Sequence, residues 1–252
     1  RSVASGMVVA LQANYLEVEL DVAPDGCPGR LLCTRRTRLS HRGEAVYVGD
    51  RVRVEAIDPG QGRAVVAEVE PRHSFLTRPP VANVSLVAVV LAVEQPSFDP
   101  DQASRFLLTA ERTGLEVILL LTKTDLLSAA ALERLVTRLK GWGYDPLALS
   151  SAAGTGIDAL RQRLAGAQLS VLCGPSGVGK SSLLNQLRPD LQLRTAAVSG
   201  RLQRGRHTTR HVELFPLGPN ARVADTPGFN RPDLPEDCLL YTSDAADDSL
   251  RV

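Results

Sequence analysis

Gly174-Pro175-Ser176-Gly177-Val178-Gly179-Lys180-Ser181 spells G-x-x-x-x-G-K-S, and Ser182 follows it. An apolar stretch from Leu169 to Cys173 precedes the motif and a helical one from Lys180 to Leu187 leaves it. A phosphate-binding loop needs that context. Glycines let the backbone wrap closely enough for its N–H groups to face phosphate oxygens, and a helix N-terminus adds positive potential. In such a loop Lys180 reaches the β- and γ-phosphates and Ser181 binds Mg²⁺. This chemistry calls for a nucleoside triphosphate but does not choose its base.

Three further segments sharpen the choice. Asp225-Thr226-Pro227-Gly228 follows the apolar Ala221-Arg222-Val223-Ala224. Asp225 at a strand end can hold Mg²⁺ through water, while the Gly228 N–H meets the γ-phosphate. Thr122-Lys123-Thr124-Asp125 follows an apolar run from Val117 to Leu121, at the sheet edge where α/β proteins bind ligands. The Asp125 carboxylate can accept both the N1–H and the 2-amino hydrogens of guanine. Adenine lacks that pair and would leave a charge unpaired. Lys123 can lie along the base and brace the phosphate loop. The usual guanine box opens with Asn; Thr122 in its place removes an amide from the N7 side of the base. Ser150-Ser151-Ala152 closes another short strand, and backbone N–H groups of Ser151 and Ala152 can meet the guanine O6.

Between Lys180 and Asp225 runs a polar, basic stretch, Ser199 to His211. Thr208 or Thr209 can supply a hydroxyl to Mg²⁺. After Gly228, where a water-orienting Gln often stands, this chain has Phe229, whose ring cannot orient water; His207 is the nearest candidate to do so, or else a solvated residue or RNA phosphate contact. The guanine box precedes the phosphate loop, the reverse of the order in most GTPases. Only a circularly permuted chain arranges the boxes this way in one sheet.

The elements that must carry these residues divide in two. Residues 1–72 read as all-β, with short strands from Gly6 to Leu11, Tyr15 to Val22, Arg30 to Thr34, Arg51 to Ile57 and Ala64 to Val69. Val18-Glu19-Leu20-Asp21-Val22 alternates apolar with polar, and Gly, Pro, Asn and Asp punctuate the strands. A small barrel follows, an OB-fold or an SH3-like one. Residues 73–83 read as a linker. From Val84 the pattern changes to apolar strands alternating with helices, from Asp99 to Thr113, Ala129 to Lys140, Ile157 to Leu164 and Lys180 to Leu187. That order predicts a parallel sheet covered on both faces. The expected fold class is therefore an α/β P-loop GTPase domain, circularly permuted, over residues 84–237, preceded by the OB-like barrel. Residues 238–252, rich in Asp, Ser and Ala, fit neither pattern and read as a disordered or foreign tail.

Composition sets outer bounds. The 252 residues carry a net charge of +1, so no global field directs the chain to nucleic acid or membrane. Its cysteines, Cys27, Cys33, Cys173 and Cys238, have neither C-x-x-C spacing nor nearby His, which argues against zinc and against a disulfide framework. No apolar run approaches the ~18 residues of a membrane span and no signal segment opens the chain, so a cytoplasmic location is expected. Arg30, Arg35, Arg36, Arg38, His41 and Arg42 form a basic segment between barrel strands. It suits phosphate contacts with structured RNA, and its lack of aromatics argues against base stacking; a solvated loop would read the same.

The permuted order, T-K-T-D, G-P-S-G-V-G-K-S-S, G-R-H-T-T and D-T-P-G-F, with Gln12-Ala13-Asn14-Tyr15 and Gly49-Asp50-Arg51-Val52 in the barrel, resemble the RsgA (YjeQ) family of small-subunit ribosome-biogenesis GTPases over roughly residues 6–237. The resemblance implies a GTP hydrolase that binds the small ribosomal subunit late in assembly and is stimulated by it; a Mg²⁺-dependent monomer in contact with rRNA is expected. It implies a catalytic His in G-R-H-T-T, hence His207. The family also carries a C-terminal zinc subdomain; after Asp225 this chain has only Cys238 and no His, so no zinc ligands carry over and a truncated or mis-joined chain is expected. Two other readings fit the boxes: an RNA-binding nucleotide sensor with little catalysis, favoured by Phe229, and a permuted GTPase of the large subunit, which the preceding barrel disfavours. A P-loop small-molecule kinase would need a base-reading site other than Asp125.

Overall fold

Alternation decides most of the first five strands: β1 (Ala4–Leu11), β2 (Leu16–Leu20), β3 (Arg30–Arg35), β4 (Arg51–Asp58) and β5 (Arg63–Val69). In β2, Leu16, Val18 and Leu20 are buried and Glu17 and Glu19 between them only partly so; Val52 and Val54 do the same in β4. The strands pair in the order β1-β2-β3-β5-β4, and β4 returns to β1 to close a barrel. The β3–β5 pair is parallel and the others antiparallel. That closure makes the barrel OB-like and sets the SH3-like alternative aside. Its interior holds Val8, Leu16, Val18, Leu31, Cys33, Val52, Val54 and Val66. Burial pushes the Cys33 thiol up to about 12, so it acts as a small apolar group. A computed structural model of the chain describes residues 3–12, 14–36, 45–77, 79–191, 212–218 and 220–225.

The stretch expected as a linker holds a two-stranded hairpin, β6 (Phe75–Thr77) and β7 (Pro80–Ala82). Pro80 opens β7, a position where a missing N–H is tolerated. The hairpin is fastened to the barrel at Gly49-Asp50. A Cβ on Gly49 would stand 2.0 Å from Ala82 O, so only glycine permits the approach. Asn83 Nδ2 donates to Gly49 O at 2.9 Å, and Asn83 Oδ1 accepts the His73 N–H at 3.0 Å. Asp50 is fully buried. Its carboxylate accepts Arg72 Nε at 2.6 Å, Arg72 Nη2 at 2.8 Å and the Tyr47 N–H at 2.8 Å. A buried charge needs such pairing.

Beyond the hairpin come β8 (Leu86–Ala92), α1 (Pro100–Glu111), β9 (Glu116–Thr122), α2 (Ala129–Gly141), β10 (Leu147–Ala148), α3 (Ile157–Ala165), β11 (Leu169–Cys173), α4 (Lys180–Leu187), β12 (Glu213–Gly218) and β13 (Ala221–Asp225). Asp99 caps α1, accepting the N–H groups of Asp101 and Gln102, with Pro100 at its first turn. Ser128 caps α2 through Ala131 N–H. The strands order as β10-β9-β8-β11-β13-β12. All are parallel except β12, which runs antiparallel to β13. Every residue of β8 is buried, because helices cover both faces. Val87, Val89 and Leu91 meet Phe106, Leu107 and Leu139 from α1 and α2. Leu86, Ala88 and Val90 meet Leu160, Leu164 and Leu184 from α3 and α4.

Glu213 of β12 also pairs with Ala10 of β1, joining barrel and sheet. Met7 and Val9 of β1 pack outward with Leu169, Val171, Leu214 and Ala224 while Val8 points into the barrel. β1 is thus buried on both sides, which is why its sequence does not alternate. No helix among the described residues is long and apolar enough to cross a membrane.

Candidate functional site

β8, β9, β10, β11 and β13 run the same way, so their carboxyl ends share one sheet edge. The phosphate loop leaves β11, Thr122 to Asp125 leave β9, and Ser150 to Ala152 follow β10. Asp225 ends β13, the strand beside β11.

The loop departs from the fully buried β11 with Gly174 against β8; a Cβ there would lie 2.1 Å from Val90 O. Val178, 1% exposed, anchors the loop in the core under α3 and α4. Gly179, at φ +98, turns the chain into α4, so that Lys180, Ser181 and Ser182 occupy the first turn of that helix. Pro175 is buried and Ser176 and Gly177 are exposed at the tip. Lys180 Nζ lies within the curve of the loop, donating to Gly174 O at 2.7 Å and Pro175 O at 2.8 Å. Cys173, one residue upstream of the loop, is 1% exposed, and burial pushes its thiol up to about 12 although the Lys180 charge pulls the other way. It packs; it is no nucleophile.

The base-reading segment is built onto the phosphate loop. Thr122 is buried, and its hydroxyl donates to Val178 O at 2.5 Å. Lys123, in a left-handed turn at φ 59, reaches across with Nζ to Gly177 O at 2.9 Å and to Gln95 O. Thr124 Oγ1 donates to Leu149 O at 3.1 Å, tying the segment to the end of β10. Asp125 is exposed at the edge. Its Oδ1 accepts the Ser150 hydroxyl at 2.6 Å, and that hydroxyl oxygen accepts the Ala153 N–H at 3.0 Å. Ser150, 1% exposed, therefore aims the carboxylate. Sequence reasoning passed over its side chain, having read this segment only for the backbone of Ser151 and Ala152. The signal was a hydroxyl at a strand end next to β9. Gln186 Nε2 of α4 holds Ser151 O at 3.1 Å.

The metal side is described only in part. Asp225 is placed by its backbone at the strand end, with Ala224 in register with Val171 of β11. His207, Thr208, Thr209, Gly228 and Phe229 lie outside the described residues, as do Arg38, His41, Arg42, Cys238 and residues 241–252. A hydroxyl on the first turn of α4 and a carboxylate ending the adjacent strand are the oxygen donors a hard cation such as Mg²⁺ takes. Among the described residues no group of three or more His, Cys, Asp or Glu gathers. The basic segment of the barrel is partly neutralised: Arg30 pairs with Glu17 and Glu19 at 3.5 Å each, and Arg36 with Glu55. Its sequence has no acid nearby because these acids come from neighbouring strands.

The RsgA GTPase family matches residues 69–235. A small ribosomal subunit biogenesis GTPase RsgA from Synechococcus sp. (strain CC9605) is 98% identical over 237 residues, 94% of this chain and 78% of that protein. Its counterpart from strain CC9311 is 76% identical over 92% of this chain and 77% of that protein. The crystal structure of YjeQ from Thermotoga maritima superposes with a TM-score of 0.75 at 31% identity, over 92% of this chain and 77% of that one. YloQ, described as a circularly permuted GTPase, does so with 0.70 at 28% identity, over 93% and 74%. The box order, the shared sheet edge and these likenesses agree, and the chain belongs to the RsgA GTPase family.

Proposed function

We propose that this chain hydrolyses GTP at the edge formed by β8, β9, β11 and β13 and acts on the small ribosomal subunit during its late maturation. One observation carries the reading: the segment that ends in Asp125 is bonded directly to the phosphate loop, Thr122 to Val178 and Lys123 to Gly177. Base recognition and phosphate recognition then belong to one rigid unit. Asp125, aimed by Ser150, accepts the N1–H and 2-amino hydrogens of guanine. Backbone N–H groups of Ser151 and Ala152 face O6. The phosphate loop from Gly174 to Gly179 surrounds the phosphates, and Lys180 moves from the loop carbonyls onto the β- and γ-phosphate oxygens.

Ser181, Asp225 through water, and Thr208 or Thr209 would hold Mg²⁺, which supplies positive charge against the charge developing on the transferred phosphoryl group. Lys180 and the Gly228 N–H add to that stabilisation. His207 orients the attacking water in place of the Gln that Phe229 displaces. The barrel, with Arg35 and the rest of the basic segment, contacts rRNA phosphates, and the protein works as a cytoplasmic monomer.

The test is GTP hydrolysis by the purified chain with and without isolated small ribosomal subunits, with large subunits and ATP as controls. Stimulation of at least ~10-fold by small subunits alone, for GTP alone, is expected of positioning completed by a partner. Equal stimulation by large subunits would contradict the assignment of partner.

A further inference from the structure

Guanine presents two hydrogen-bonding edges. N1–H and the 2-amino group donate on one; O6 and N7 accept on the other. Reading N7 needs a donor, and the residue in the usual place of that donor is Thr122, with a single hydroxyl proton. That proton is engaged. Thr122 Oγ1 stands 2.5 Å from Val178 O, with Leu91 O as a second acceptor at 3.3 Å. The side chain is 3% exposed, so it cannot turn away without leaving the Val178 carbonyl unpaired in the core. An amide could hold the carbonyl with one proton and donate the other to N7; a hydroxyl cannot do both.

The neighbouring hydroxyls are committed in the same way. Thr124 Oγ1 donates to Leu149 O, and Ser150 Oγ to Asp125. Lys123 Nζ is directed at Gly177 O and Gln95 O. The backbone N–H of Thr124 goes to Leu149 O and that of Ser150 to Thr155 O. What these two segments still offer the O6/N7 edge is the backbone of Ser151 and Ala152, for which O6 is the acceptor proposed above, and the Ser151 hydroxyl, which follows the buried Ser150.

We infer that Thr122 positions the phosphate loop and does not read the base, so that N7 of guanine receives no hydrogen bond from the protein and selection rests on the N1 and 2-amino edge. The inference rests on the assignment of Asp125 as the guanine reader. It changes what the site discriminates: a purine triphosphate altered at position 7 should be accepted, one altered at position 2 should not.

Displacement of a fluorescent guanine nucleotide from the full chain by GTP, 7-deaza-GTP, ITP and ATP tests this. GTP and 7-deaza-GTP should bind within about 2-fold of each other, and both at least ~10-fold more tightly than ITP, which lacks the 2-amino group, and than ATP. Thr122→Val, which keeps the shape and removes the hydroxyl, should weaken GTP and 7-deaza-GTP alike by about 3- to 10-fold and leave their ratio near one. A preference of GTP over 7-deaza-GTP by about 5-fold or more in the unaltered chain would overturn the inference and leave the guanine assignment standing, the Ser151 hydroxyl being the donor to remove next. Equal binding of GTP, ITP and ATP would instead remove the Asp125 assignment, and the inference with it.

Discussion

Asp125 is exposed, and an exposed carboxylate on a turn samples several rotamers unless something holds it. Ser150 does so, with its own oxygen fixed by the Ala153 N–H. Ser150→Ala should therefore loosen the carboxylate without exposing a buried charge. Removing one hydrogen bond to a charged group costs about 1.5 kcal/mol or somewhat less where water can substitute, so GTP affinity should fall roughly 5-fold while ATP binding stays as weak as before. Competition binding on the variant measures it, and an unchanged GTP affinity would show that the Ser150 contact does not shape the site. The phosphate loop was legible residue by residue because its glycines answer to demands that leave few substitutes, as the approach of Gly174 to Val90 O illustrates. The Ser150 contact was not, since it joins residues 25 apart in the chain across two strands whose adjacency appears only in the sheet.

At the scale of elements, the Gly49-Asp50 turn fastens the β6–β7 hairpin to the barrel. Asp50 is fully buried, and hydrogen bonds to a charged group are worth about 1.5–3 kcal/mol each. Asp50→Ala should lower unfolding stability by about 2–3 kcal/mol, because the Tyr47 N–H loses this acceptor while Arg72, partly exposed, keeps its bond to Ala45 O. Urea denaturation checks this; a loss below about 1 kcal/mol would mean that the junction relaxes without the carboxylate. The exposed pairs behave otherwise. Arg51, hydrogen-bonded to Asp21, holds that carboxyl below its usual range. A depressed pKa stabilises the fold above the unfolded carboxylate range and ceases to do so as pH falls through the folded value, but solvent screens the pair and keeps it small. The helices were readable from their composition: stretches read as helical from Asp99 and from Ala129 hold α1 and α2, which begin at Pro100 and Ala129. The hairpin β6–β7 was not, because strands of three residues leave too little alternation to see. Nor was β12, where Pro216 breaks an otherwise apolar run and only pairing with β13 makes a strand of it.

For the whole molecule the informative feature is order. The chain enters the α/β sheet at β8, in the middle, adds β9 and β10 on one side, and only then returns to β11, β13 and β12 on the other. Every strand end that bears a box still faces the same edge. Permutation moves the chain ends without moving the site, and it places the barrel on β1 beside β12, next to the strand that delivers Asp225. Arg222 of that strand donates to Glu19 of the barrel at 2.8 Å. Barrel and nucleotide edge are thus continuous through β12 and β13. This continuity was invisible in the sequence, which showed two patterns meeting at a proline-bearing stretch.

The most direct test of a permuted site is to change what it reads. Xanthine replaces the 2-amino donor of guanine with a carbonyl acceptor, so Asp125→Asn, which supplies an amide donor, should invert the preference. We expect the unaltered chain to hydrolyse GTP at least ~10-fold better than XTP and the variant to favour XTP by a similar factor. A variant that keeps its preference for GTP would contradict the account, because Asp125 would then not be the residue that reads the base.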